Sequence, residues 1–178
     1  MVKIPMMKKV VKIPENVEVT VDNKSMHIKG EKGVLSKTLP YPKIEIKIQK
    51  NIIEVSCKLP RRQDKALIGT TVAHIKNMIK GITKGFEYTL KTVYSHFPIK
   101  TVVKENQFII QNFLGEHAPR KAPILEGAEV EVKGDIISVR GIDKEKVGQT
   151  AANIERAAMV KHRDIRVFQD GVYIISKK

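Results

Sequence analysis

The sequence predicts an α+β fold: two tandem similar domains, residues 1–82 and 83–178, each an antiparallel sheet with one helix packed across it. Three observations predict it. Short runs alternate apolar and polar residues between tight turns, the period of half-buried strands. Two stretches carry apolar residues at helical spacing. The order of strands followed by a helix also occurs twice.

Residues 1–14 are basic and interrupted by Pro5 and Pro14, which suits an arm or an edge segment better than a central strand. Val17, Val19 and Val21 then alternate with Glu18, Thr20 and Asp22; Asn23-Lys24 makes the turn, and Met26 and Ile28 continue the alternation. Gly30 and Gly33 bracket a second turn before an extended run over 34–39. Ile44, Ile46 and Ile48 alternate again, and Lys50-Asn51 turns the chain into Ile52, Ile53 and Val55. Short strands joined by tight turns pair antiparallel.

Ile68, Val72, Ile75, Ile79 and Ile82 mark one face of a helix near 62–81, with Gly81 and Gly85 as its stop signals. Arg61, Arg62, Lys65, Lys76 and Lys80 lie off that stripe. A second helix is expected near 143–160, where Val147, Ala151, Ile154 and Ala158 repeat the spacing. Its buried face is mostly small residues, so its axis can lie close to the sheet. A basic turn and a closing strand follow it.

The repeat can be followed residue by residue. A shift of 82 carries Val21, Met26, Ile28 and Gly33 onto Val103, Phe108, Ile110 and Gly115. A shift of 84 carries Ile46, Ile48, Ile52, Ile53 and Val55 onto Val130, Val132, Ile136, Ile137 and Val139. A shift of 79 carries Gly69, Thr71, Ala73 and Ile75 onto Gly148, Thr150, Ala152 and Ile154. The loop before the second helix is therefore about five residues shorter. A helix-interior glycine costs about 1 kcal/mol relative to alanine. Its recurrence at Gly69 and Gly148 suggests close approach of helix and sheet, a packing role.

The chain has 178 residues, 42% of them hydrophobic, enough for a packed core. It carries 33 Lys+Arg against 19 Asp+Glu, a formal +14, which points to a polyanion, nucleic acid before a membrane surface. Residues 1–85 hold 18 and 7 of these charges and residues 86–178 hold 15 and 12, so the excess is +11 in the first half and +3 in the second. The single cysteine, Cys57, lies in an apolar run and reads as a small core residue in a reducing compartment. Neither a membrane span nor a signal core is visible.

Catalytic patterns are missing. There is no Gly-rich phosphate loop, no C-x-x-C and no H-x-x-x-H. The histidines are scattered, and the carboxylates mostly stand in strand alternations such as Glu45-Ile46-Lys47 and Glu129-Val130-Glu131, solvated sheet faces and not an acid–base pair. No catalytic residue, metal site or cofactor is expected. The low aromatic share, 5% with no Trp, argues against a general single-strand stacking platform.

Charge counting alone would put a nucleic-acid face on the first half. Three local sites in the second half compete with it. They are Tyr94, Ser95 and His96 after an alternating run; the polar loop with His117, Arg120 and Lys121; and the cluster Lys161, His162, Arg163, Arg166 and Phe168, with Arg156 on the helix before it. Such loops offer Arg and Lys to phosphates while a ring stacks on a base or sugar. Each could equally be a plain solvated loop.

The repeat, Tyr-Ser-His-Phe-Pro at 94–98, Asn-Phe-Leu-Gly-Glu at 112–116 and Arg-x-Phe-x-Asp-Gly-Val-Tyr across 166–173 resemble protein six of the large ribosomal subunit, in its archaeal/eukaryotic branch. The Pro-Tyr-Lys-Gly-Lys-Gly type segment of the bacterial branch is absent, and the short run after Tyr173 favours an archaeal-type protein. The resemblance covers essentially the whole chain. It implies a structural, non-enzymatic component of the large subunit, in the cytoplasm. Its partners would be large-subunit rRNA and neighbouring ribosomal proteins, with no membrane and no small-molecule substrate. It also implies that the second domain makes the main rRNA contact, near the sarcin–ricin and translation-factor region, through the three local sites. A concentrated turn decides docking better than charge dispersed over strands, so the motif outweighs the charge count. The competing class is a free-standing nucleic-acid-binding regulator, which should fold and bind as an isolated dimer.

Overall fold

The computed structural model of the chain describes residues 6–22, 25–39 and 43–178. The chain divides into two compact units, Met1–Lys84 and Gly85–Lys178. Unit 1 contains strands β1 (Met6–Lys12), β2 (Glu18–Asp22), β3 (Ser25–Gly30), β4 (Gly33–Thr38), β5 (Glu45–Gln49) and β6 (Ile52–Lys58), then helix α1 (Arg62–Thr83). Unit 2 contains β7 (Phe86–Val93), β8 (Lys100–Lys104), β9 (Gln107–Gln111), a 3₁₀ turn (Phe113–Gly115), β10 (Arg120–Pro123), β11 (Ala128–Lys133), β12 (Ile136–Gly141), α2 (Lys144–Ala157) and β13 (Gly171–Lys177). The fold is α+β and its strand pairs are antiparallel. In each unit the strands form two small sheets: β1-β6-β5 with β2-β3-β4, and β11-β12-β7-β13 with β10-β9-β8. The turn expected at Asn23-Lys24 lies outside the described residues, as do residues 1–5 of the N-terminal arm.

The repeat is physical as well as textual. Ile46 pairs with Val55 in unit 1, and Val130 with Val139 in unit 2, the same register 84 residues on. Met26 and Phe108, Ile28 and Ile110, and Ile53 and Ile137 are all fully buried. So are Ile68 and Val147, and Ile75 and Ile154. Each unit has its own apolar core. The arm adds a member that the alignment of repeats did not include. Val11 of β1 pairs with Ile53 as Leu90 of β7 pairs with Ile137, so β1 is the counterpart of β7. Its lysines hide that match, and it lies at a sheet edge.

Both helices bury the expected stripes. Asp64, itself buried, accepts the Arg61 N–H at 2.8 Å and starts α1; Asp143 accepts the Glu145 N–H at 2.9 Å and starts α2. Satisfying these orphan amides is what N-caps do. Gly81 does not stop α1: it is buried inside the helix, which runs on to Thr83, and Gly85, with φ +80°, supplies the left-handed exit. The close approach expected at the helix glycines is also absent. A Cβ at Gly69 would meet nothing within 4 Å, and one at Gly148 would make ordinary contact with the Tyr88 ring, 3.7 Å away. The tight contacts are at strand glycines instead. A Cβ at Gly141 would lie 2.6 Å from the Gly127 carbonyl oxygen and 2.7 Å from Val147, and one at Gly30 would collide with Ile82. Cys57 is a buried core residue.

Candidate nucleic-acid interface

Unit 2 gathers the three sequence-marked segments. After β7 the chain passes through Tyr94, Ser95 and His96, all exposed. Ser95 donates its hydroxyl proton to Asp170 Oδ1 at 3.2 Å, which ties this loop to the entry of β13; Asp170 itself is buried. The His96 and Phe97 rings meet edge to face with centroids 4.9 Å apart.

The segment 112–116 interlocks with that loop. Asn112, Leu114 and Gly115 all have positive φ (57°, 51° and 78°), and such a run is rare outside glycine. Asn112 donates to the Pro98 carbonyl at 3.1 Å. A Cβ at Gly115 would press on the Phe97 ring at 3.4 Å, so the left-handed backbone and the packing both favour glycine there. The two motifs at 94–98 and 112–116 are thus halves of one contact.

Arg120 links the polar loop to the turn after α2. Its Nε and Nη2 donate to the Glu116 carboxylate at 2.8 and 2.6 Å. Its Nη1 donates to the carbonyls of Ala157 at 3.1 Å and Met159 at 2.7 Å, and its guanidinium covers the Phe113 ring at 4.0 Å. A cation on the last carbonyls of a helix satisfies orphan acceptors. α2 itself ends at Ala157, short of the expected 160. The Arg120 hydrogen bond holds the Glu116 carboxyl below the usual glutamate range, helped by the positive charges of Arg120, Arg163 and Lys161. Arg120 was expected to contact RNA. Its Nε, Nη1 and Nη2 all make hydrogen bonds within the protein, so it also positions the loop against the turn.

The turn 161–169 is wound around Asp164. His162 takes φ +58° and reverses the chain. The amides of Val167 and Phe168 donate to the Asp164 carbonyl at 3.1 and 2.9 Å. Arg166 forks onto the Asp164 carboxylate through Nε at 3.1 Å and Nη2 at 2.9 Å, and this bond lowers the Asp164 pKa. Arg163 lies over the half-buried Phe168 ring at 4.9 Å, a cation–π contact that fixes its plane. Lys161, His162, Arg163 and Arg166 remain exposed.

Glu116 therefore has Arg120, Lys161 and Arg163 around it, while Ser95–Asp170 and Phe97–Gly115 draw in the first loop. His117 and Lys121 stand exposed on the same loop and on β10. Arg156, exposed on α2, flanks a groove of about 520 Å³ that it shares with Met159, Ile165, Phe168 and Tyr173. Beside its charges the turn presents apolar tips: Met159, Ile165 and Val167 are 59, 67 and 71% exposed. Ile165 and Val167 fit neither a helical nor a strand pattern of burial, and that was the available signal. Phosphate donors interleaved with exposed apolar side chains suit a polyanion that also presents sugar and base surfaces. Among the described residues no cluster of His, Cys, Asp and Glu could hold a metal ion. No helix is long and apolar enough to cross a membrane.

Comparison with known proteins gives a consistent family. The family model described as ribosomal protein L6 matches residues 13–85 and again 97–171, one match for each repeat. Large ribosomal subunit protein uL6 of Methanobrevibacter smithii is 49% identical over 168 residues, 94% of each chain. The uL6 protein of Methanothrix thermoacetophila is 49% identical over 93% of this chain and 94% of its own. That of Methanococcus vannielii is 48% identical over 94% of this chain and 92% of its own.

Proposed function

The chain belongs to the ribosomal protein L6 family, and we propose that it docks on large-subunit rRNA chiefly through unit 2, near the sarcin–ricin and translation-factor region. It is a structural, non-enzymatic component of the large ribosomal subunit, similar along nearly its whole length to archaeal relatives, and its setting is the ribosome in the cytoplasm. The observation that carries the docking proposal is the joining of three loops through Arg120, the Ser95–Asp170 hydrogen bond and the Phe97–Gly115 contact, with Lys161, Arg163 and the apolar residues Met159, Ile165 and Val167 left exposed. The main contacts come from Lys161, His162, Arg163 and Arg166, supported by Tyr94, Ser95, His96, His117, Lys121 and Arg156. Arg120 and Phe168 belong to the same contact surface and also hold the turn in shape. The placement near the sarcin–ricin region follows from the motif resemblance at 94–98, 112–116 and 166–173.

The dispersed lysines of unit 1 add long-range attraction. Contact with about four phosphates would contribute roughly four counterions' worth of salt dependence on duplex nucleic acid, somewhat less on single strands. The test replaces Lys161, Arg163 and Arg166 by Ala and compares this with replacement of Lys43, Lys47 and Lys50. Both proteins are titrated at several salt concentrations against an RNA fragment carrying the sarcin–ricin region. The turn variant is expected to bind at least tenfold more weakly with a flatter salt slope, while the unit 1 variant changes little. Equal losses would return the docking face to the charge count. Sedimentation tests the assignment separately: the protein should stay with large subunits through a high-salt wash.

A further inference from the structure

In unit 2 the outer edge of β7 is taken by β13, with Val172 beside Thr92 and Ile174 beside Leu90. In unit 1 the counterpart strand β1 ends its sheet, and no described strand lies beyond it. Ile13 donates its N–H to the Asn51 carbonyl at 2.8 Å. Hydrogen-bonded pairs alternate along an antiparallel ladder, so the N–H and C=O groups of Lys8, Val10 and Lys12 point away from β6 towards the open edge. Beside that edge, a groove of about 530 Å³ runs between β1 and the C-terminal part of α1. Val10, Val11 and Ile79 form its apolar part, and Lys12, Lys76 and Lys84 line it. Ile79 corresponds to Ala158 of α2, which shares the unit 2 core with the buried Val172 of β13. The groove is thus where the side chains of an added strand would fall.

We propose that the open edge of β1 receives an extended acidic segment of another protein, added antiparallel to β1 as β13 is added to β7, with alternate apolar side chains set against Ile79 and carboxylates against Lys12, Lys76 and Lys84. Strand addition uses main-chain hydrogen bonds for affinity and alternate side chains for specificity. A polypeptide strand repeats its donors and acceptors with the spacing of this edge, as a sugar–phosphate backbone does not, which favours a polypeptide here. Lysines on an edge strand can also serve to discourage pairing. That purpose needs only the lysines of β1, whereas Lys76 and Lys84 come from the helix and line the same groove. This surface belongs to unit 1, and the turn proposed above for rRNA docking belongs to unit 2.

The test uses the full chain, isotopically labelled, and a synthetic peptide of alternating valine and glutamate as long as β13, 7 residues. The amides of Lys8, Val10 and Lys12 should shift on titration, their exchange should slow at least tenfold at saturation, and binding should weaken at least tenfold in high salt. A valine–lysine peptide should not bind. Val10→Pro removes an outward N–H that β6 does not use, a substitution tolerated on edge strands, and should weaken binding at least tenfold. If that variant unfolds, the pair Lys76→Glu and Lys84→Glu tests the same surface and should weaken binding to a similar extent. Several results would overturn the proposal. They are no binding of the valine–glutamate peptide, equal binding of the lysine peptide, shifts that miss β1, or binding unchanged in the variants. Protection of the same amides by an RNA hairpin, or a dimer of this chain paired through β1, would assign the edge to another occupant and overturn it equally.

Discussion

Arg120 holds together segments far apart in sequence, and little in the sequence announces it. Its carboxylate partner is four residues away in a loop, but its carbonyl partners lie 37 and 39 residues on. A basic residue in a polar loop reads as a ligand contact, and its structural bonds to those carbonyls cannot be read from the sequence. Arg120→Ala should destabilise the protein by roughly 1–2 kcal/mol, because a charged donor is lost from a partly buried cluster. Chemical unfolding measures this, and Arg120→Lys should recover only part of it, since an ammonium cannot fork. Arg166→Ala should leave the unfolding midpoint unchanged, because that side chain is 88% exposed. Glu116 adds a pH dependence. Its folded pKa is depressed, so its contribution is complete above the ordinary glutamate value of 4.5 and is lost as the pH falls below that value through the folded one. Acid titration followed at the 115–121 and 157–163 amides should show the two segments loosening together. Independent loosening would remove Arg120 as the link.

The helices were the most legible elements, because four or five apolar residues in one stripe leave little freedom in which face is buried. Their ends were less so. The carbonyls that end α2 are satisfied by Arg120, a residue from another element, and Gly81 reads as a stop only if its burial is unknown. The strands were legible as alternation. Their division into two small sheets per unit was not, because alternation fixes the buried face of a strand and says nothing of its neighbours. β1 reads as an edge segment, but its match to β7 does not show, because Lys9 interrupts the inward face on which Met7 and Val11 meet the core. The helix glycines give the sharpest test at this scale. With open space around a Cβ at Gly69, Gly69→Ala should stabilise the protein by about 0.5–1 kcal/mol through helix propensity and reduced freedom of the unfolded chain. A rise in the melting temperature is the expected reading, and a fall would restore the close-packing role inferred from the repeat.

Two copies of one unit with separate cores carry the excess charge mostly on one copy and the converging loops on the other. Net charge is a sum and carries no geometry, which is why it pointed to the first half while the loops pointed to the second. The repeat allows the copies to be perturbed one at a time. At Gly141 an added methyl would meet backbone at Gly127 and the fully buried Val147, neither of which can easily retreat. Overpacking of this kind costs about 1–3 kcal/mol. Gly141→Ala should therefore speed amide exchange at Leu90, Ile137 and Ile154 by roughly ten- to a hundredfold, a tenfold change for each 1.4 kcal/mol. Exchange at Ile53 and Ile75, in the other core, should hold its native rate. Gly30→Ala, which drives a methyl into Ile82, should reverse the pattern. Equal acceleration in both cores by either variant would mean that the two units open as one, and the duplicated fold would then behave as a single cooperative body.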